Sequence, residues 1–156
     1  MQRSVANSGP TAWSAPSNCL SQTPKTLKSP IQLDGRDLSA VRLLLVEDDF
    51  IILLELETIL TDAGALIVGS CRTVEAALTL ANDGAIDAAL LDSRLGHETI
   101  TPVARSLARR EIPFAFYTAQ SSSDASLSEW PKNVILGKPA SPNAILATVA
   151  NLLRRG

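Results

Sequence analysis

The sequence predicts an α/β protein built on a doubly wound, five-stranded parallel sheet. Three observations carry that prediction. Five short apolar runs (VRLLLVE, ALIVGSC, DAALLD, FAFYT and NVILG) follow one another from residue 41, and such runs suit strands buried on both faces of a parallel sheet. Helical stretches separate them, so strand and helix alternate. Finally, chemistry-bearing polar residues stand at the carboxyl ends of the runs, the edge where open α/β sheets carry their sites.

Taken in order, residues 1–38 differ in kind from the rest. They are rich in Ser and Pro and lack periodicity, so they cannot bury enough surface to offset their ordering entropy. They are expected to be a flexible leader, or an over-long start to the gene; Trp13 is the one candidate for a short docking motif within it. A domain over 41–155 follows. Its first strand ends in Glu47-Asp48-Asp49, and a helix from Asp49 to Ala63 is closed by Gly64. Thr73 can cap a second helix, TVEAALTLAND, that ends before Gly84. A third is expected over 99–110, with Pro102 tolerable only in its first turn. SSSDASLSEW makes a weak fourth helix, short and serine-rich. Ser141-Pro142 supplies a cap and a first-turn proline for a fifth that runs to the C-terminus.

The 156 residues carry a formal net charge of −2, which gives no electrostatic case for nucleic acid or an anionic membrane. No apolar stretch approaches the roughly 20 residues of a membrane span. The first twenty residues also lack the apolar core of a secretory signal. Cys19 and Cys71 have no framework spacing and point to reduced thiols in a cytoplasmic protein. No G-x-G-x-x-G follows the first strand, so a nicotinamide or flavin enzyme lacks support.

Four strings stand at the strand ends: Glu47-Asp48-Asp49, Asp92, Thr118-Ala119 and Lys138-Pro139. Each has an ordinary reading. A strand-end Asp can cap a turn, a Thr is a good strand residue, and a Lys suits a surface turn. Collected at one edge they form a toolkit for placing a phosphoryl group on Asp92. The acid pair and Asp92 can hold a hard divalent cation, Lys138 can balance phosphoryl charge, and Thr118 can donate a hydrogen bond. Asp49 is better read as the cap of the first helix. His97 is a solvent-exposed loop residue on this reading.

In this pattern residues 41–155 resemble the receiver domain of two-component response regulators. The resemblance implies a flavodoxin-like (βα)5 fold with strand order 2-1-3-4-5. It makes Asp92 the phosphoacceptor and Mg²⁺ the cofactor. Asp48, Asp92 and the backbone carbonyl of Arg94 would be direct metal ligands, with Glu47 acting through water. Thr118 would donate to a phosphoryl oxygen, Lys138 would pair with the phosphoryl group, and a cis bond would precede Pro139. The phosphodonor would be a histidine kinase or a histidine phosphotransfer protein. Because the sequence stops at Gly156 without an effector domain, output is expected through another protein. The chain departs from the pattern in three places. Ile135 stands where many receivers have an aromatic residue, Gly96 where proline often follows the acceptor, and Arg94 and Gln120 are long side chains at positions that tune hydrolysis. Tyr117 is the candidate substitute for that aromatic, but strand alternation points it to the face opposite Thr118. IPFAFYTAQ, the loop holding Gly96 and Ile135 are similar to a subgroup of stand-alone receivers common in α-proteobacteria.

Two other classes compete. A receiver-like interaction module that never carries phosphate would need an obstruction invisible in the sequence. An Asp-nucleophile phosphatase of another α/β family would need a second Asp two residues after the nucleophile, where Arg94 stands. The first helix bears on partners. Ile52, Leu53, Leu56, Ile59, Leu60 and Ala63 account for its core stripe, which leaves Phe50, Ile51 and Leu54 on the other side. That second apolar side suits a phosphodonor protein; cover by the leader or a homodimer contact is the alternative.

Overall fold

The computed structural model describes residues 37–119 and 124–155. In chain order its elements are β1 (Arg42–Val46), α1 (Phe50–Asp62), β2 (Leu66–Cys71), α2 (Val74–Asp83), β3 (Ala88–Leu91), β4 (Arg94–Leu95), β5 (Glu98–Thr99), α3 (Thr101–Arg109), β6 (Phe114–Thr118), β7 (Ile135–Gly137) and α4 (Pro142–Arg155). Five strands pair in parallel in the order β2-β1-β3-β6-β7, which is the expected 2-1-3-4-5 order with β4 and β5 set apart.

The sheet divides the core into two layers by strand alternation. Leu43 and Leu45 of β1 pack under α1 and α4 with Leu53, Leu56, Tyr117 and Val149. Leu44 and Val46 pack on the other side under α2 and α3, with Ala77, Leu107, Phe114 and Phe116. Trp130 closes that second layer edge-on to Phe114, 5.1 Å between ring centroids. Packing begins at Leu38, which is buried and donates its amide to Ala63 O at 2.9 Å. The packed core therefore includes a residue of the segment read as leader. Residues 1–36, with Trp13 and Cys19, lie outside the described residues.

Helix ends follow their caps. The Asp49 carboxylate accepts from the amides of Ile51 and Ile52 at 2.9 and 3.3 Å, which satisfies two of the orphan donors of a helix start. Ala63 closes α1, and Gly64 takes the left-handed conformation just beyond it, φ +97°. Thr73 caps α2 through the amide of Ala76 at 3.2 Å. Ser141 Oγ accepts from Ala144 N at 3.2 Å ahead of α4.

Three expectations are corrected. β2 is an edge strand with a register shift opposite Leu43/Leu44, and Leu66 and Val68 are exposed, so its apolar run is only half buried. α3 begins at Thr101 because Glu98–Thr99 pairs antiparallel with Arg94–Leu95 in a short hairpin. In place of a fourth α-helix, the described part of the crossover holds two 3₁₀ turns, Ala125–Leu127 and Lys132–Val134. There the Asp124 carboxylate accepts from Ser126 N and Oγ, a local bond that competes with helix, and Pro131 cannot continue one. Gln120 to Ser123 lie outside the described residues, as does any effect of Gln120 on hydrolysis.

Candidate functional site

Register builds the site. Val46 pairs with Leu91 at the ends of β1 and β3, and Asp92 N donates to Val46 O at 2.8 Å, so Glu47 and Asp48 fall beside Asp92. Glu47 N donates in turn to Cys71 O at 3.0 Å. At the other side Thr118 pairs with Gly137, and Lys138 N donates to Thr118 O at 2.9 Å. That contact carries Lys138 across to the acids. Its Nζ lies 2.5 Å from Glu47 Oε2 and 2.9 Å from Asp92 Oδ2. One oxygen from each of Glu47, Asp48 and Asp92 lies within 4.8 Å of the others. Three converging carboxylates are a donor set for a hard cation that prefers oxygen, and they stand as the Mg²⁺-coordinating acids of receiver domains stand.

The electrostatics follow from burial and pairing. Glu47 is only 1% exposed. Burial pushes its carboxyl up to about 6, and the neighbouring Asp92 charge adds to this, while the bond from Lys138 opposes it. Burial alone would lower the Lys138 ammonium, but its bonds to Glu47 and Asp92 outweigh this and raise it. Lys138 therefore stays charged between two acids. It also lies 5.5 Å from the centroid of the Tyr117 ring. As alternation requires, Tyr117 sits in the layer under α1 and α4, and its hydroxyl accepts from Ala140 N at 3.3 Å. The Lys138–Pro139 bond is cis, as expected. Ile135, at the place of the missing aromatic, is half-buried against the layer that holds Phe116.

Sequence reasoning missed three partners. Ser93 Oγ lies 2.7 Å from Thr118 Oγ1, with both residues buried. Gly96, at φ +61°, donates its amide to Asp48 Oδ2 at 2.9 Å; a proline there could not. Arg72 donates from Nε and Nη2 to Asp48 O at 3.1 and 2.9 Å. Only the departure at Gly96 was visible in the sequence, and there as a loss of proline rather than a gain of a donor. Arg94 donates its amide to Asp92 Oδ1 at 3.3 Å, and its side chain turns to Asp124, 3.7 Å from Nε to Oδ2. His97 is exposed in the hairpin turn. Among the described residues no helix is long and apolar enough to cross a membrane.

No family model and no curated protein matches the sequence. Solved structures do. A response regulator receiver protein from Sinorhizobium medicae WSM419 is 29% identical, with a TM-score of 0.66 over 75% of this chain and 97% of that one. SdrG from Sphingomonas melonis Fr1 is 40% identical, with a TM-score of 0.62 over 73% of this chain and 97% of that one. The response regulator PhyR from Brucella abortus is 26% identical, with a TM-score of 0.68 over 83% of this chain; the match spans 54% of PhyR, about half its length. Strand order, the acid triad at the sheet's carboxyl edge and these likenesses agree, and the chain belongs to the receiver-domain family of response regulators.

Proposed function

We propose that the protein is a cytoplasmic response-regulator receiver that accepts a phosphoryl group on Asp92 from a phosphohistidine donor and signals through protein contacts. The observation that carries this reading is the bridge of Lys138 between Glu47 and Asp92 at the edge of the acid triad. An Asp92 oxygen attacks the phosphorus in line, the P–N bond breaks, and the donor imidazole leaves with the electron pair and takes a proton from solvent. Bound Mg²⁺ would supply charge neutralisation for the transferring oxygens, held by Asp48, Asp92 and the Arg94 carbonyl, with Glu47 acting through water. Lys138 pairs with the phosphoryl group, and Thr118 donates to one of its oxygens. On this reading the only chemistry is the protein's own phosphorylation and slow dephosphorylation.

The test is incubation of the full chain with Mg²⁺ and an acyl phosphate. A hydroxylamine-sensitive phosphoryl group is expected on the wild type and not on Asp92→Asn, which keeps the shape but removes the nucleophilic oxygen. Equal labelling of the two would overturn the assignment. No labelling of either would favour the phosphate-free interaction module.

The donor, a histidine kinase or histidine phosphotransfer protein, is expected to dock on α1. Phe50, Ile51 and Leu54 are 57, 69 and 48% exposed there, in the first turns beside Asp48, and receivers in general are approached on this helix. Leu54→Glu should leave labelling by the acyl phosphate unchanged and slow transfer from the cognate donor at least about tenfold, the scale of one lost anchor side chain. If transfer is as fast as in wild type, the patch serves another use, and sedimentation of the two proteins would show whether that use is a homodimer.

A further inference from the structure

We propose that Ser93 is a positioning residue of the phosphoryl site, which holds the Thr118 hydroxyl in the unmodified protein and gives it up when Asp92 carries a phosphoryl group. The inference rests on the reading of Asp92 as acceptor and concerns a residue that this reading leaves without a role.

The two hydroxyls lie 2.7 Å apart, and both residues are sealed from solvent, Ser93 at 0% and Thr118 at 1% exposure. Ser93 is fixed from both sides. Its neighbour Asp92 donates its amide to Val46 O at 2.8 Å, and its own carbonyl accepts from Ile100 N at 3.1 Å, where Ile100 is itself buried at the start of α3. These bonds fix the backbone that carries the Ser93 hydroxyl; of the two hydroxyls, either of which can donate in this contact, we assign the proton to Thr118. A hydroxyl has one proton to give. A phosphoryl oxygen only accepts, so it must receive the Thr118 proton. Asp92 and Lys138 retain some access to solvent where a phosphoryl group would arrive, whereas the Thr118 hydroxyl is turned inward against Ser93. Re-aiming it breaks a buried hydrogen bond that exists in the unmodified state alone, so the Ser93 contact biases the protein toward that state by the worth of that bond.

The probe is beryllofluoride, a tetrahedral anion that takes the place of a phosphoryl group on a carboxylate oxygen, titrated in Mg²⁺ into the full chain. Ser93→Ala should bind it about two- to tenfold more tightly than wild type, the range of one hydrogen bond lost from one state only. In a Thr118→Ala background the same change should have no effect. Thermal melting provides the second readout: Ser93→Ala should lower the melting temperature of the unmodified protein more than that of the beryllofluoride form, a difference that simple loss of packing would not produce. Weaker or unchanged binding by Ser93→Ala overturns the proposal. Weaker binding would mean that Ser93 donates to Thr118 while Thr118 donates to the anion. Failure of wild-type protein to bind beryllofluoride at all would instead sink the assignment of Asp92, on which the inference depends.

Discussion

Gly96 holds Asp48 through one N–H, and that bond is separable from the rest of the site. The carboxylate of a metal ligand is oriented by the group that bonds its other oxygen, and loss of such a partner commonly weakens metal binding 10–100-fold. Gly96→Pro removes the donor and cannot adopt φ +61°. Gly96→Asn keeps the donor and tolerates that conformation. Calorimetric titration with Mg²⁺ should find Gly96→Pro weaker by about tenfold and Gly96→Asn close to wild type. Equal weakening in both would assign the effect to the backbone conformation instead of the bond. The same residue shows where sequence reading stopped. Asp92, Asp48, Glu47 and Lys138 were legible because they stand at the ends of three apolar runs, and parallel pairing brings those ends together whatever lies between. Gly96, Ser93 and Arg72 sit one step away, in turns whose path is set by tertiary contacts, so their local sequence does not show what they bond.

Among elements, β1 is tied to the approach to β3 by Arg42 and Asp87. The Asp87 carboxylate accepts from Arg42 N at 2.8 Å, Nε at 3.0 Å and Nη2 at 2.7 Å. The hydrogen bond from the Arg42 side chain, opposed by a little burial, holds the Asp87 carboxyl below its ordinary 3.8. A carboxyl whose pKa is depressed on folding adds stability above its unfolded value, and loses it as the pH falls through the folded value. The pair is largely open to solvent, so the effect is small and salt-sensitive. Asp87→Asn should melt slightly below wild type at neutral pH, and the gap should close as the pH falls below about 4. A gap that persists in acid would show that packing, and not charge, is lost. Element by element, the five strands of the sheet and four of the five expected helices were legible from run length, caps and first-turn prolines. The β4–β5 hairpin was not, since strands of two residues carry no periodicity. Nor was the fate of the fourth crossover, where Asp124 and its serine neighbour bond locally and a helix has too little apolar surface to outweigh them. The exposure of β2 was missed for a different reason. A continuous apolar run cannot announce which strand will stand at the sheet's edge.

At the scale of the molecule, site and core share their backbone. β2 ends at Cys71, whose thiol is buried and pushed up in pKa by that burial, and whose carbonyl accepts the amide of Glu47. The thiolate is the form that reacts with disulfide reagents, so a folded molecule conceals Cys71 twice, by burial and by protonation. Modification must wait for the end of β2 to open, and the modification rate then counts openings. In a Cys19→Ser variant, Cys71 becomes a clock for the strand that borders the acid pair. An ion that binds only the closed form slows such a clock by the factor 1 + [Mg²⁺]/Kd: at about 100 times its Kd, Mg²⁺ should slow modification about a hundredfold. A rate indifferent to Mg²⁺ would mean that the end of β2 opens while Glu47 and Asp48 stay in place. If the clock slows, the lone thiol reports on ion binding at the acids without touching them, and does so with no phosphodonor, partner or dye.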